Sequence, residues 1–151
     1  MTDIPQQQVA GIYHRRIGDI VVTAISDGDL DATLDVTRNL PKEEAEKVLA
    51  GSLRPLAPRI SVNGFIVHTG GRQFQIDTGS GNTTGPTLGW LPKNLELLGI
   101  DPAKIETVLL THMHPDHSNG LTNDAGEALF PACELVVHED EVAHWHDDGR
   151  M

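Results

Sequence analysis

Apolar positions along the 151-residue chain change period several times, and each change marks an element. Ile17 to Ser26 carries Ile20, Val21, Val22 and Ile25, a β-rich run that Asp27-Gly28-Asp29 would end as a turn. Asp31 to Leu40 fits neither period. The stretch 41–50 reads as a helix with Pro41 at its start, acids in its first turn and Gly51 as its stop. Pro55 and Pro58 mark a loop. Ile60 to Thr69 and Arg72 to Ile76 are strands, and Gly70-Gly71 between them predicts an antiparallel hairpin. Thr83 to Gly89 is a loop. Leu91, Leu95 and Leu98 recur at helical spacing before Gly99. Asp101-Pro102 opens a short helical turn, with Asp101 as cap and Pro102 in the first position. Ile105 to Leu110 and Cys133 to Val137 read as strands, and Gly120 to Ala128 as a short helix or a loop. His138 to Asp148 reads as a helix with Val142 and Trp145 facing inward. Residues 1–16 read as a polar lead-in. No internal repeat or linker divides the chain, so a single domain is expected.

Composition narrows the function classes. A formal net charge of −11 disfavours nucleic acid, whose phosphates require Lys and Arg. No apolar run approaches the ~18 residues of a membrane helix, and the first residues lack a basic or apolar leader. A cytoplasmic protein without membrane or nucleic-acid partners is therefore the expectation. Cys133 is the lone cysteine, which excludes an intrachain disulfide and a cysteine-based zinc site. In its apolar run it reads as a small core residue.

The densest chemistry is the stretch Thr111-His112-Met113-His114-Pro115-Asp116-His117-Ser118-Asn119-Gly120. Three imidazoles and one carboxylate fall between positions 112 and 117, directly after Val108-Leu109-Leu110. That donor mixture suits zinc and similar borderline ions, and it accepts other divalent metals. Pro115 argues against a regular helix. In an extended segment His112, His114 and Asp116 point one way, and His117 is re-aimed as the chain turns. One metal, or two close together, would fit. His138, His144 and His146 are a weaker cluster. On a helix His144 and His146 lie about 200° apart, which prevents joint chelation. His144 with Asp148, or Asp140 with His144, would share a face, but such pairs are common on solvated helices. Asp77-Thr78-Gly79-Ser80-Gly81-Asn82 taken alone is an ordinary Asx turn, and its glycines match no phosphate-binding loop.

The motif His112-x-His114-x-Asp116-His117 resembles that of the metallo-β-lactamase-fold metallo-hydrolases. The approach through Leu95-x-x-Leu98-Gly99-Ile100-Asp101-Pro102 and Ile105-x-x-Val108-Leu109-Leu110-Thr111 is similar as well. Ile76-Asp77-Thr78-Gly79 matches the family's strand-end D-T-G, which reverses the Asx-turn reading of Asp77. Gly120-Leu121-Thr122 and Phe130-Pro131-Ala132 are most like the branch of quorum-quenching lactonases and methyl-parathion-hydrolase-like proteins. The resemblance implies an α+β fold, an αββα sandwich of which this chain is about one βα half, the N-terminal part of a single domain. It implies two zinc ions, the first on His112 and His114 and the second on Asp116 and His117. Asp116 is thereby also the candidate catalytic residue, and Asp77 lies behind the site and orients the motif loop. The implied reaction is hydrolysis of an ester, lactone or phosphoester in a small-molecule substrate, by a hydroxide held between the metals.

The family draws further ligands, including a third histidine for the first metal, from well beyond the motif. No position here matches them. The family's second half also covers the inner face of the first sheet. The chain is accordingly expected to be a truncated product or half of an assembly, with an apolar sheet face open to homo-oligomerisation. A non-catalytic metal-binding or subunit-pairing half-domain is the alternative to an active hydrolase.

Overall fold

The computed structural model describes residues 10–147 and 149. β1 (Ile12–Ile17), β2 (Ile20–Asp31), β3 (Arg59–Thr69), β4 (Arg72–Ile76), β5 (Thr107–Leu109) and β6 (Glu134–Val136) form one six-stranded sheet in chain order. The first four strands are antiparallel neighbours, and β4, β5 and β6 run parallel. α1 (Lys42–Gly51) joins β2 to β3, and α2 (Leu91–Leu97) lies between β4 and β5. α3 (Pro115–Ser118) and α4 (Glu139–Trp145) flank β6 in sequence. A mixed sheet with helices is the α+β arrangement that the resemblance implied.

Alternation along the strands sorts side chains onto two faces. One face presents Val21, Thr23, Ile25 and Asp27 from β2, Val62, Ile66 and His68 from β3, Gln75 from β4 and Val108 from β5, all buried. Leu91 and Leu95 of α2 pack on it, and Ile100, Ile105, Leu110 and Phe130 complete the core. The helical spacing of Leu91 and Leu95 therefore has the predicted meaning. The opposite face aligns Val22 with Val67, Ala24 with Phe65, Phe65 with Ile76, Val67 with Phe74, and Ile76 with Leu109. These residues are only half-buried or, for Leu109, exposed.

Four sequence expectations are corrected. The polar lead-in is not featureless through residue 16, because β1 begins at Ile12 and buries that side chain against the sheet. Its residues 1–9 lie outside the described residues. The first hairpin turns at Gly18-Asp19, with Ile17 opposite Ile20, so β2 starts later than Ile17. Asp27-Gly28 is a bulge inside β2 rather than a turn, and pairing with β3 resumes beyond it as far as Asp31. A bulge inserts a residue without ending the strand; here it goes with the inward-facing Asp27. Finally, Val142 is exposed on α4 and only Trp145 is half-buried, so the inward face of that helix differs from the one expected. Asp148, the expected end of that helix, lies outside the described residues.

Candidate metal centre

Parallel pairing of β4 with β5 brings two loops to the same edge of the sheet. Crevices beyond the carboxyl ends of parallel strands are where α/β sheets place ligand chemistry. β4 runs into Asp77, and β5 runs through the buried Leu110 into Thr111 and the histidines. The Asp77 N–H donates to Leu109 O at 2.9 Å, and Leu110 N–H donates to Val136 O at 2.9 Å, which locks both strand ends.

The motif is extended only as far as His114. Pro115 then occupies the first position of α3, where its missing N–H costs nothing. Asp116 and His117 consequently sit on a helical turn instead of continuing the extended strand. This corrects the expectation that His112, His114 and Asp116 line one side by alternation. The turn nevertheless collects the rings. The centroids of His112 and His117 are 4.0 Å apart, and those of His112 and His114 are 4.7 Å apart. His117 Nε2 lies 3.3 Å from Asp116 Oδ2.

Asp77 fixes this geometry from behind. Its carboxylate accepts the Thr111 N–H on Oδ1 and the Thr111 hydroxyl on Oδ2, each at 2.8 Å. Oδ2 also lies 2.8 Å from His117 Nδ1. An ionised carboxylate only accepts, so His117 carries a proton on Nδ1 and turns its Nε2 toward Asp116. Nε2 lies 3.3 Å from Asp116 Oδ2, a contact that a second ring proton or a shared cation would equally satisfy. Asp77 sits at φ 51°, a left-handed conformation that Asp tolerates better than most residues. The resemblance's reading of Asp77 holds in the hydrogen bonds, and the Asx-turn reading does not. Thr78 adds a second clamp, donating its N–H and its hydroxyl to His117 O at 2.8 and 3.0 Å. Gly120 N–H donates to Gly79 O at 3.0 Å, and a Cβ at Gly120 would collide with the Thr78 carbonyl. Only glycine permits this closeness between the two loops.

Asp27 is a functional support that the sequence reading missed. Its carboxylate is fully buried and accepts three backbone N–H groups, from Ser80 (2.8 Å), Leu91 (2.9 Å) and Gly89 (3.2 Å). It thus satisfies the first N–H of α2 and grips the 77–81 loop at Ser80. Gly79, at φ +77°, passes so close that a Cβ would meet the Asp27 carboxylate at 2.5 Å. In the sequence the pair Asp27-Gly28 is indistinguishable from a turn, and only the alternation placing Asp27 on the inward face of β2 hints otherwise.

Among the described residues the second histidine cluster does not assemble, and the His144 pairing with Asp148 lies outside them. His138 caps α4 by accepting the Asp140 N–H, and Asp140 Oδ2 lies 3.4 Å from His138 Nδ1 rather than against His144. His146 Nδ1 bonds to Val142 O at 2.9 Å, and His144 stacks edge-on against Trp145. Cys133 is partly buried against the core, and burial pushes its thiol above the usual range.

Residues 57–150 match the sequence pattern of the family described as the Metallo-beta-lactamase superfamily. The chain belongs to that superfamily. A curated relative is the N-acyl homoserine lactonase AiiB of Agrobacterium fabrum (strain C58 / ATCC 33970), 40% identical over 53 residues, which are 35% of this chain and 17% of that protein. The Beta-lactamase-like protein 2 homolog of Caenorhabditis elegans is 29% identical over 94 residues, 58% of this chain and 30% of that protein. Among solved structures, the hydrolase AbOPH of the beta lactamase superfamily is 33% identical with a TM-score of 0.86, covering 95% of this chain and 50% of that one. AidC, a dizinc quorum-quenching lactonase, shares the fold with a TM-score of 0.84 at 22% identity, covering 91% and 48%. The chain therefore spans about half the length of these solved superfamily members.

Imidazole and carboxylate are the donor types that dizinc chemistry uses, and His117 Nε2 and Asp116 Oδ2 bring one of each within 3.3 Å. Among the described residues, no three His, Cys, Asp or Glu side chains converge as a ready ligand set.

Proposed function

We propose that this chain carries the motif half of a metal-dependent hydrolase that cleaves an ester, lactone or phosphoester bond. His112 and His114 would hold a first divalent ion and Asp116 and His117 a second, with zinc as the leading candidate. The observation that carries this reading is the Asp77–His117–Asp116 relay. Asp77 holds a proton of His117 on Nδ1, so that Nε2 of the neutral ring and the Asp116 carboxylate, 3.3 Å apart, would be free to share an ion. The names of the lactonase relatives support the lactone arm, and the hydrolase with the highest of these TM-scores supports the wider class.

When bound, such ions supply Lewis acidity and lower the pKa of water. The chain's own residues do the rest. Asp77 keeps His117 in one tautomer and one orientation. Thr111 is tied to the same carboxylate and holds the start of the loop, with its Oγ1 3.1 Å from His112 Nδ1. Pro115 and Thr78 fix the helical turn that separates the two donor pairs. Asp116 is partly exposed, which leaves it accessible from solvent as well as to His117.

Zinc titration by dye competition tests the ligand assignment. The double substitution His112→Ala with His114→Ala should abolish uptake at the first site, and unchanged uptake would sink the assignment. Turnover of a lactone, an aryl ester and a phosphotriester by the loaded protein would then select the bond.

A second reading, a subunit-pairing half-domain, draws on a different observation. Tyr13, Ile17, Ile20, Leu109 and Val136 are exposed along the open sheet face. Large apolar patches are where proteins associate, and a second copy of the chain is one occupant. Light scattering over a dilution series should then show a concentration-dependent oligomer, whereas a monomer at every concentration would exclude pairing.

A further inference from the structure

α4 holds the motif loop through one carboxylate. Glu141 Oε2 accepts the Met113 N–H at 2.7 Å. Met113 is the residue between His112 and His114, so this bond fixes the short extended segment that aims both imidazoles. The same oxygen accepts the Trp145 indole N–H at 3.3 Å, from one turn further along the helix. Trp145 in turn presents itself edge-on to the His114 ring, with centroids 5.8 Å apart at 89°. The Met113 side chain packs against the core, which leaves its backbone N–H as the handle available to α4. Foremost among its effects, the Met113 N–H holds the Glu141 carboxyl below its usual range, with Trp145, His112 and His144 acting in the same direction and partial desolvation opposing them.

We propose that Glu141 is a positioning residue for the first donor pair, holding the His112-Met113-His114 backbone through Met113 and the His114 ring through Trp145. It plays for that pair the part that Asp77 plays for His117. No atom of Glu141 needs to touch an ion, and the i,i+4 partner Trp145 makes the helix itself the support. The inference rests on the ligand reading above for its consequence, but its structural content does not depend on a bound ion.

Two variants and two readouts test it. Glu141→Ala removes the acceptor, while Glu141→Gln keeps an oxygen of the same reach. In the metal-free chain, amide hydrogen exchange at Met113 should accelerate in Glu141→Ala and return toward the wild-type rate in Glu141→Gln. Zinc affinity should fall about tenfold or more in Glu141→Ala, as for other groups that orient ligands, with the cobalt(II) absorption spectrum altered and with Glu141→Gln recovering most of the loss. Unchanged exchange at Met113 in Glu141→Ala overturns the inference whether or not zinc binds. Unchanged zinc affinity and cobalt spectrum, in a variant whose Met113 exchange has accelerated, overturn its functional half. Should the wild-type chain take up no zinc, the ligand assignment falls, and the exchange data alone decide whether Glu141 fixes the loop.

Discussion

The two faces of the sheet do not divide simply into apolar inside and polar outside. The covered face includes Thr23, Asp27, His68 and Gln75, all at 5% exposure or less, among its aliphatic residues. The half-open face presents Val22, Ala24, Phe65, Val67, Phe74, Ile76 and Leu109. Burying polar groups is unfavourable unless they are hydrogen-bonded; here Thr23 and His68 pair with each other, and Asp27 and Gln75 reach the loop after β4. Asp27 grips the loop after β4, and Gln75 donates to Asp77 O. Part of the polarity on the covered face is thus structural wiring toward the loop behind the candidate site. The apolar face is laid out for a covering layer, and in the solved relatives the chain accounts for only about half the length. An apolar strand face alone says little about whether it is inside; the bonding of the polar residues opposite it says more.

Breaking the wiring should have the largest effect. Asp27→Ala leaves three N–H groups without their acceptor, at least two of them in the buried interior, and should cost roughly 3–6 kcal/mol by chemical denaturation. A loss below about 1 kcal/mol would show that the 77–91 segment finds other partners.

Truncations on adjacent residues sharpen the contrast of the faces. Ile66 is fully buried, and Ile66→Ala should cost about 3 kcal/mol. Val67, its neighbour on the open face, should cost below about 1 kcal/mol as Val67→Ala in the dissociated chain. Equal losses would mean that the open face is covered in solution.

The smallest effect is a pH dependence. Burial, and secondarily the nearby His14, hold the His68 imidazole below its ordinary pKa. Gln73 Nε2 lies 3.4 Å from His68 Nδ1, so a neutral ring accepts that amide N–H and donates from Nε2 to Thr23 Oγ1, 2.9 Å away, and a second proton on Nδ1 would break the first contact. The unfolded chain then binds more protons than the folded one once the pH falls below about 6.5. Stability should decline as pH drops through that region, and His68→Gln should flatten the decline. A wild-type profile that is already flat there would contradict the burial argument.

Much of this was legible in the sequence. Periodicity places β3, β4, the Gly70-Gly71 hairpin and the α2 stripe, and Asp101 caps its turn by accepting the Ala103 N–H as the Asp-Pro pair implies. The motif was visible because four donors crowd six positions. What escaped the reading depends on partners distant in sequence. Asp27 binds residues 53 to 64 positions away, and Glu141 reaches back 28 positions to Met113. Neither carboxylate differs locally from a turn or a solvated helix face. The helical turn at Pro115 was missed for another reason: proline disfavours helix interiors but suits the first position.

Metal content per chain, by elemental analysis of protein purified without chelator or added metal, tests the central claim most directly. The account predicts about one divalent ion or more per folded chain, lost in the His112→Ala, His114→Ala and His117→Ala triple variant with the fold retained. A content well below one ion, unchanged in that variant, would contradict a metal centre on these residues.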